Sequence, residues 1–253
     1  MSRPLACALV FLAVLAAVPA RADIREDAAR LLIGIPASRV PADILIDRAV
    51  PISRLHDPDG AASNLPVELA EWRQMYHELR LGALATPTWP PLAAVIAGAG
   101  PAVERGEVPI ALLDFRYARL RPDALASGAL VARGGQVTLG QGEAFEVRRV
   151  FAAAPLRDRT YHGREVRFRL DAARYFSNDR PAPPALAIDF ADGRGFQPVA
   201  FGESPVVHYD TPGEKLIRLQ AAGDDDEGET TFRFEVRDLQ APAPNDTLHI
   251  TAT

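Results

Sequence analysis

The chain has 253 residues, of which 48% are hydrophobic and 24% charged, with a net charge of −5. This is ordinary globular composition, long enough for one large or two modest domains. The acidic balance lacks the basic footprint of a nucleic-acid partner, so no nucleic acid is expected.

The first 22 residues, "MSRPLACALVFLAVLAAVPARA", read as a signal peptide. Arg3 gives a positive start, Leu5 to Val18 form an unbroken apolar core, and Ala20-Arg21-Ala22 is an A-x-A cleavage pattern. The apolar core falls short of the ~20 residues a membrane span needs, and no second candidate follows, so no span is expected after cleavage. The expected address is the periplasm or the extracellular space of a Gram-negative bacterium. Removal of Arg3 and Arg21 takes the net charge from −5 to −7. Cys7, the only cysteine, leaves with the leader, which excludes disulfides and thiolate chemistry from the mature chain.

In chain order, "DIREDAARLLIGIP" predicts a short helix with Ile24, Ala28, Leu31 and Leu32 on one face, ended by Gly34 and Pro36. "ADILIDRAVPI" alternates as a strand that Pro51 stops, and "LHDPDGAASN" is a loop of turn formers. The clearest helix is "LPVELAEWRQMYHELRLG", with Asn64 as cap, Pro66 in the first turn and Gly82 at the end. Its stripe of Leu69, Trp72, Tyr76 and Leu79 predicts a buried face. After the prolines around Trp89, "LAAVIAGA" predicts a short helix, "VPIALLDFRY" a buried strand and "LRPDALASG" a turn.

From residue 144 the texture changes to short alternating runs between turn signals: "EAFEVRRVF", "REVRFRL", "LAIDF", "FQPVAF", "PVVHY", "EKLIRLQ", "TFRFEV" and "TLHITAT". About eight strands at this spacing predict an immunoglobulin-like antiparallel sandwich, each strand burying one row and wetting the other. The expected fold is therefore α+β. A mixed, partly helical region over residues 23–143 precedes an all-β sandwich over residues 144–253.

"IDFADGRGF", residues 188–196, is the stretch on which chemistry would rest. As an EF-hand loop begun at Asp189 it fails, because the third, fifth and twelfth positions are Ala191, Gly193 and Ala200. As a phosphate cradle it lacks a lysine and leads into a strand rather than a helix. As a hairpin turn it works, since aspartate and glycine tolerate the positive φ such turns require. Asp189, Asp192 and Gly193 are expected to hold a turn.

This stretch, with "VHYDTPGEKLIRLQ" and "TFRFEV", is similar to the PKD-type module of bacterial extracellular proteins. Asp189, Phe190, Asp192 and Gly193 match that family's D-F-G-D-G element, and Tyr209, Gly213 and Lys215-Leu216 match its next strand. Ile188 stands where the family has tryptophan, and Ala191 where it has glycine. The likeness covers roughly residues 150–240 and implies a β-sandwich used for spacing, adhesion or binding, usually without catalysis. More weakly, "ILIDRAVPI", "VPIALLDF", "YFSNDRP" and "LAIDFADGRGF" in this order resemble the N-terminal parts of uncharacterised secreted bacterial proteins, some of which continue into a hydrolase-like domain.

Other candidates are sparse. Asp224, Asp225, Asp226 and Glu227 could hold a calcium ion, although a charge run of this kind more often forms a solvated loop; no other cofactor is expected. Trp89, in its proline-held loop, and Tyr175 are the candidate ligand-binding aromatics for a glycan. His56-Asp57 could be half of a triad, and "GESPV" at Gly202–Val206 lacks the second glycine of a nucleophile elbow. The expected role is a non-catalytic binding or spacer protein with a glycan or another surface protein as partner. The alternatives are an accessory front half of a secreted hydrolase, or a hydrolase with its site between the two parts.

Overall fold

A computed structural model describes residues 24–57, 65–179, 185–222 and 228–239. The expected leader, the acidic loop Asp224–Glu227 and the last expected strand lie outside the described residues. Among those described are three α-helices, α1 (Ile24–Leu31), α2 (Leu69–Gly82) and α3 (Leu92–Glu104). Eleven strands follow: β1 (Glu107–Leu120), β2 (Leu130–Arg133), β3 (Gln136–Leu139), β4 (Phe145–Pro155), β5 (Thr160–His162) and β6 (Glu165–Ser177). The remainder are β7 (Ala185–Asp189), β8 (Phe196–Val199), β9 (Val206–His208), β10 (Gly213–Ala222) and β11 (Gly228–Arg237). The chain is α+β with a strand-rich C-terminal region.

The strands form a four-stranded sheet in the order β4-β1-β6-β9, a five-stranded sheet in the order β5-β11-β10-β7-β8, and a small β2-β3 hairpin. The two larger sheets face each other across one core. Phe168 of β6 meets Phe234 of β11 at 5.5 Å between ring centroids, and Phe190 at 4.9 Å. Val166, Phe168 and Leu170 point into this core, as do Phe232, Phe234 and Val236, in the alternation their sequences carry. Not every pairing is antiparallel. β1 runs parallel to β6, and β11 parallel to β5. The long excursion through β2–β5 gives β1 and β6 the crossover that a parallel pair requires.

β1 organises the molecule. It lies between β4 and β6, and both of its faces are covered. Val108, Ile110 and Leu112 point between the sheets, while Ala111, Leu113 and Phe115 point at the helices. A strand buried on both faces reads as a continuous apolar run rather than an alternating one, which is why "VPIALLDF" looks as it does. On the helical side Trp72 and Tyr76 of α2 stack at 5.3 Å, and Tyr76 meets Phe176 edge-on at 5.1 Å. The Trp72 Nε1–H donates to the Ala152 carbonyl of β4 at 3.2 Å. The molecule therefore has three layers, helices on sheet on sheet. The sequence step between residues 143 and 144 does not separate sheets, because β1 precedes it and both of its partners follow.

Several elements differ from expectation for local reasons. α2 starts at Leu69 rather than at Pro66, because Val67 is drawn into a parallel bridge beside Phe232, its N–H donating to the Thr231 carbonyl at 2.7 Å. The expected strand over residues 42–52 is instead a set of tight turns. Ala42, Asp43 and Val50 all have positive φ, Ile46–Ala49 is a 3₁₀ turn, and only Ile44 and Leu45 make single bridges. α3 runs on to Glu104 through Pro101, longer than the expected short helix. β6 continues past Leu170 through a bulge: Ile110 pairs with Leu170 but Leu112 with Tyr175, leaving residues 171–174 looped out.

Candidate functional site

The turn after β7 is built from its own side chains. Asp189 is 9% exposed; its Oδ1 accepts the Ala191 N–H at 2.8 Å and its Oδ2 accepts Arg218 Nη2 at 2.7 Å. Three residues on the pattern repeats, with Asp192 accepting the Arg194 N–H at 3.1 Å and Arg194 Nε at 2.7 Å. Both are Asx-type turns, in which a short carboxylate replaces a backbone acceptor. Gly193 (φ 85°) and Gly195 (φ 69°) supply the left-handed positions. Behind the turn the buried Tyr209 hydroxyl donates to the Phe190 carbonyl at 2.8 Å, pinning β7's exit to the segment that leaves β9. Burial raises the Tyr209 phenol, and the nearby Asp192 and Asp189 carboxylates add to that.

No protein-family model matches the chain, and no curated protein or solved structure matches it.

Ala191 adopts φ 56°, the conformation that the glycine of a D-F-G-D-G element would take freely, and its side chain is exposed. Left-handed backbone costs an L-residue about 1–2 kcal/mol, against about 0.5–1 kcal/mol of extra chain entropy for glycine. Ala191→Gly is therefore expected to stabilise the fold by about 0.5–1 kcal/mol. Urea denaturation checks this; a lower midpoint for the variant would contradict the reading.

Asp189 also sets a pH dependence. Burial disfavours its charge, but the Arg218 guanidinium and the Ala191 N–H outweigh burial and hold the carboxyl below its usual range. A carboxyl with a depressed folded-state value contributes stability above its unfolded value, about 3.9, and loses it as pH falls through the folded value. The gap in urea midpoint between the native chain and Asp189→Asn is thus expected to be constant from pH 7 to 5 and to shrink below about pH 4. A gap that widens on acidification would refute the assignment.

Tyr175 sits just past the β6 bulge. Its hydroxyl donates to Asp114 Oδ2 at 2.9 Å, and Arg149 Nε donates to Asp114 Oδ1 at 2.7 Å. Asp114 is 2% exposed, so this carboxylate is shared by β1, β4 and β6 at one end of the inter-sheet core. The Tyr175 ring meets Phe201 edge-on at 5.8 Å. Trp89 packs edge-on against Phe115 at 4.9 Å. Phe115 and Asp114 are neighbours in β1 and face opposite ways, so Trp89 and Tyr175 lie on opposite sides of the four-stranded sheet. Both are half-buried, and the structure does not bring them together in one groove.

The remaining candidates bind the chain to itself. Arg119 Nη1 donates to the carbonyls of His56 (3.3 Å) and Asp57 (3.4 Å), which places the His56-Asp57 pair at the rim of a network with Glu146 and Arg148. The Ser204 hydroxyl of "GESPV" accepts Arg169 Nη1 at 3.1 Å. Glu78 escaped the sequence reading. It is 1% exposed on α2 and accepts the N–H groups of Ile52 (2.8 Å) and Ser53 (3.1 Å) as well as Gln74 Nε2 (2.7 Å). The Ser53 hydroxyl also donates to it. Its spacing of three from Met75 and four from Gly82, both on the buried side of α2, was the available signal. Among the described residues no three or more His, Cys, Asp or Glu side chains converge as metal ligands would. No described helix is long and apolar enough to cross a membrane.

Proposed function

We propose that the chain is an exported, non-catalytic binding or spacer module of the cell surface or periplasm, presenting a PKD-like β-sandwich to a glycan or another protein. The observation that carries the reading is the Asp189–Asp192 turn with Tyr209 tied to the Phe190 carbonyl. It stands at the end of a sandwich strand, where a PKD-type module keeps its D-F-G-D-G element. In support, the carboxylates of Asp189, Asp192, Asp114 and Glu78 are each engaged in holding backbone or arginine. The ligand class follows from how modules of this kind are used.

The test is a glycan-array and pull-down screen of residues 23–253, with and without calcium, alongside a panel of hydrolase substrates. Saturable retention of a defined glycan or protein without turnover is the expected result. Hydrolytic turnover without any retained ligand would overturn the proposal.

A further inference from the structure

Away from the turn, a cleft of about 280 Å³ opens between the segment ending at Pro41 and the connection from β3 to β4. Its walls carry one guanidinium, Arg39, and one carboxylate, Glu143. Neither side chain makes a hydrogen bond or close ion pair with another described residue; Glu143 feels the Arg121 guanidinium only at longer range, and Arg121 is itself bonded to Asp123. Between them the lining is apolar, from Leu139, Ala144 and Phe145; Ala144 is 3% exposed and Phe145 half-buried.

Both walls are held in fixed and unusual conformations. On one side Ala42 (φ 63°) and Asp43 (φ 56°) are consecutive left-handed residues without a glycine between them. Such positions cost about 1–3 kcal/mol each and persist only where the surroundings impose them. Here Asn178 Nδ2 donates to the Ala42 carbonyl at 2.8 Å, and the Leu84 N–H donates to the Asp43 carbonyl at 3.0 Å. On the other side a Cβ at Gly140 would stand 2.1 Å from the Gly128 carbonyl oxygen, and Gly142 has φ 109°. Strained backbone of this kind is found where a ligand is received, and here it adjoins a cleft whose lining carries two opposite charges, neither hydrogen-bonded, and an apolar floor.

We propose that this cleft binds a small zwitterion with an apolar side chain, a free α-amino acid or a dipeptide. Arg39 receives the carboxylate, Glu143 receives the ammonium group, and the side chain rests on Leu139, Ala144 and Phe145. The volume is just below the range of about 300–1,000 Å³ that drug-sized ligands occupy, which fits a ligand of this size. Having both charges on the ligand matters: a carboxylate alone leaves Glu143 without a hydrogen-bonded cation, and an amine alone leaves Arg39 without a hydrogen-bonded anion. This site is separate from the turn and does not depend on the module being PKD-like.

The test uses residues 23–253 and backbone amide NMR, titrating L-leucine, glycyl-L-leucine, isovalerate and isoamylamine separately. L-Leucine or glycyl-L-leucine is expected to shift the Gly140, Gly142 and Ala144 amides saturably, and whichever binds tighter identifies the source of the zwitterion. Arg39→Gln and Glu143→Gln are each expected to weaken that binding at least tenfold with unchanged melting temperature, since both residues are exposed. Isovalerate and isoamylamine are expected to bind at least tenfold more weakly than the zwitterion. Absence of saturable shifts at millimolar zwitterion, or binding by either variant as tight as by the native chain, would overturn the proposal.

Discussion

A fragment of residues 144–239 is expected not to fold. It lacks β1, which is hydrogen-bonded along eleven residues to β4 on one side and is parallel to β6 on the other. Without it the four-stranded sheet loses its centre, and β4 and β6 each expose an unpaired edge. The inter-sheet core also loses Val108, Ile110 and Leu112, each at most 4% exposed in the whole chain. Burial of three such side chains is worth about 5–9 kcal/mol, against a typical total stability of about 5–15 kcal/mol. Urea denaturation of the fragment followed by circular dichroism is expected to give no cooperative transition. A sigmoidal transition with native-like strand signal would show that the sandwich completes itself without β1.

The second large effect is expected at Trp72. The side chain is fully buried at the centre of the helical layer, stacked on Tyr76 and hydrogen-bonded to the Ala152 carbonyl. Trp72→Ala removes this packing and leaves a cavity against Phe176, 6.3 Å away between ring centroids. Such truncations cost about 3–5 kcal/mol. With a urea slope of about 1–3 kcal/mol per molar, the midpoint is expected to fall by more than about 1 M. A shift below about 0.3 M at unchanged slope would mean that α2 is only loosely applied to the sheet.

The strands that alternate cleanly were legible in the sequence, because their signal is local. Phe232, Phe234 and Val236 in β11, and Val166, Phe168 and Leu170 in β6, point inward as their period-two spacing requires. The hairpin turn at Asp189–Gly193 was legible for the same reason: its hydrogen bonds span two residues. The β2–β3 hairpin was missed although Gly134-Gly135 between "LVAR" and "QVTL" carries a two-residue turn signal. The strand expected over residues 42–52 failed because tertiary contacts hold Ala42, Asp43 and Val50 in left-handed conformations that propensity disfavours.

Other features could not be read locally. The parallel pairing of β1 with β6 joins segments more than fifty residues apart, and the bulge at residues 171–174 shows only as an interruption in alternation. The Asp114–Arg149–Tyr175 cluster draws one residue from each of three strands. Of the cleft near Pro41, only its glycines carried a hint, and Arg39 and Glu143 lie about a hundred residues apart in the chain.

Because β1 serves both cores, the helical layer and the sandwich are expected to fold as one body. Both tryptophans, Trp72 and Trp89, pack in the helical layer, whereas most strand residues lie in the two sheets. Tryptophan fluorescence and far-ultraviolet circular dichroism therefore report opposite layers of the molecule. Urea unfolding of the whole chain followed by both signals is predicted to give coincident transitions with one midpoint and one slope. A fluorescence transition complete at lower urea, with the strand signal still native, would show two independently stable parts and contradict the account.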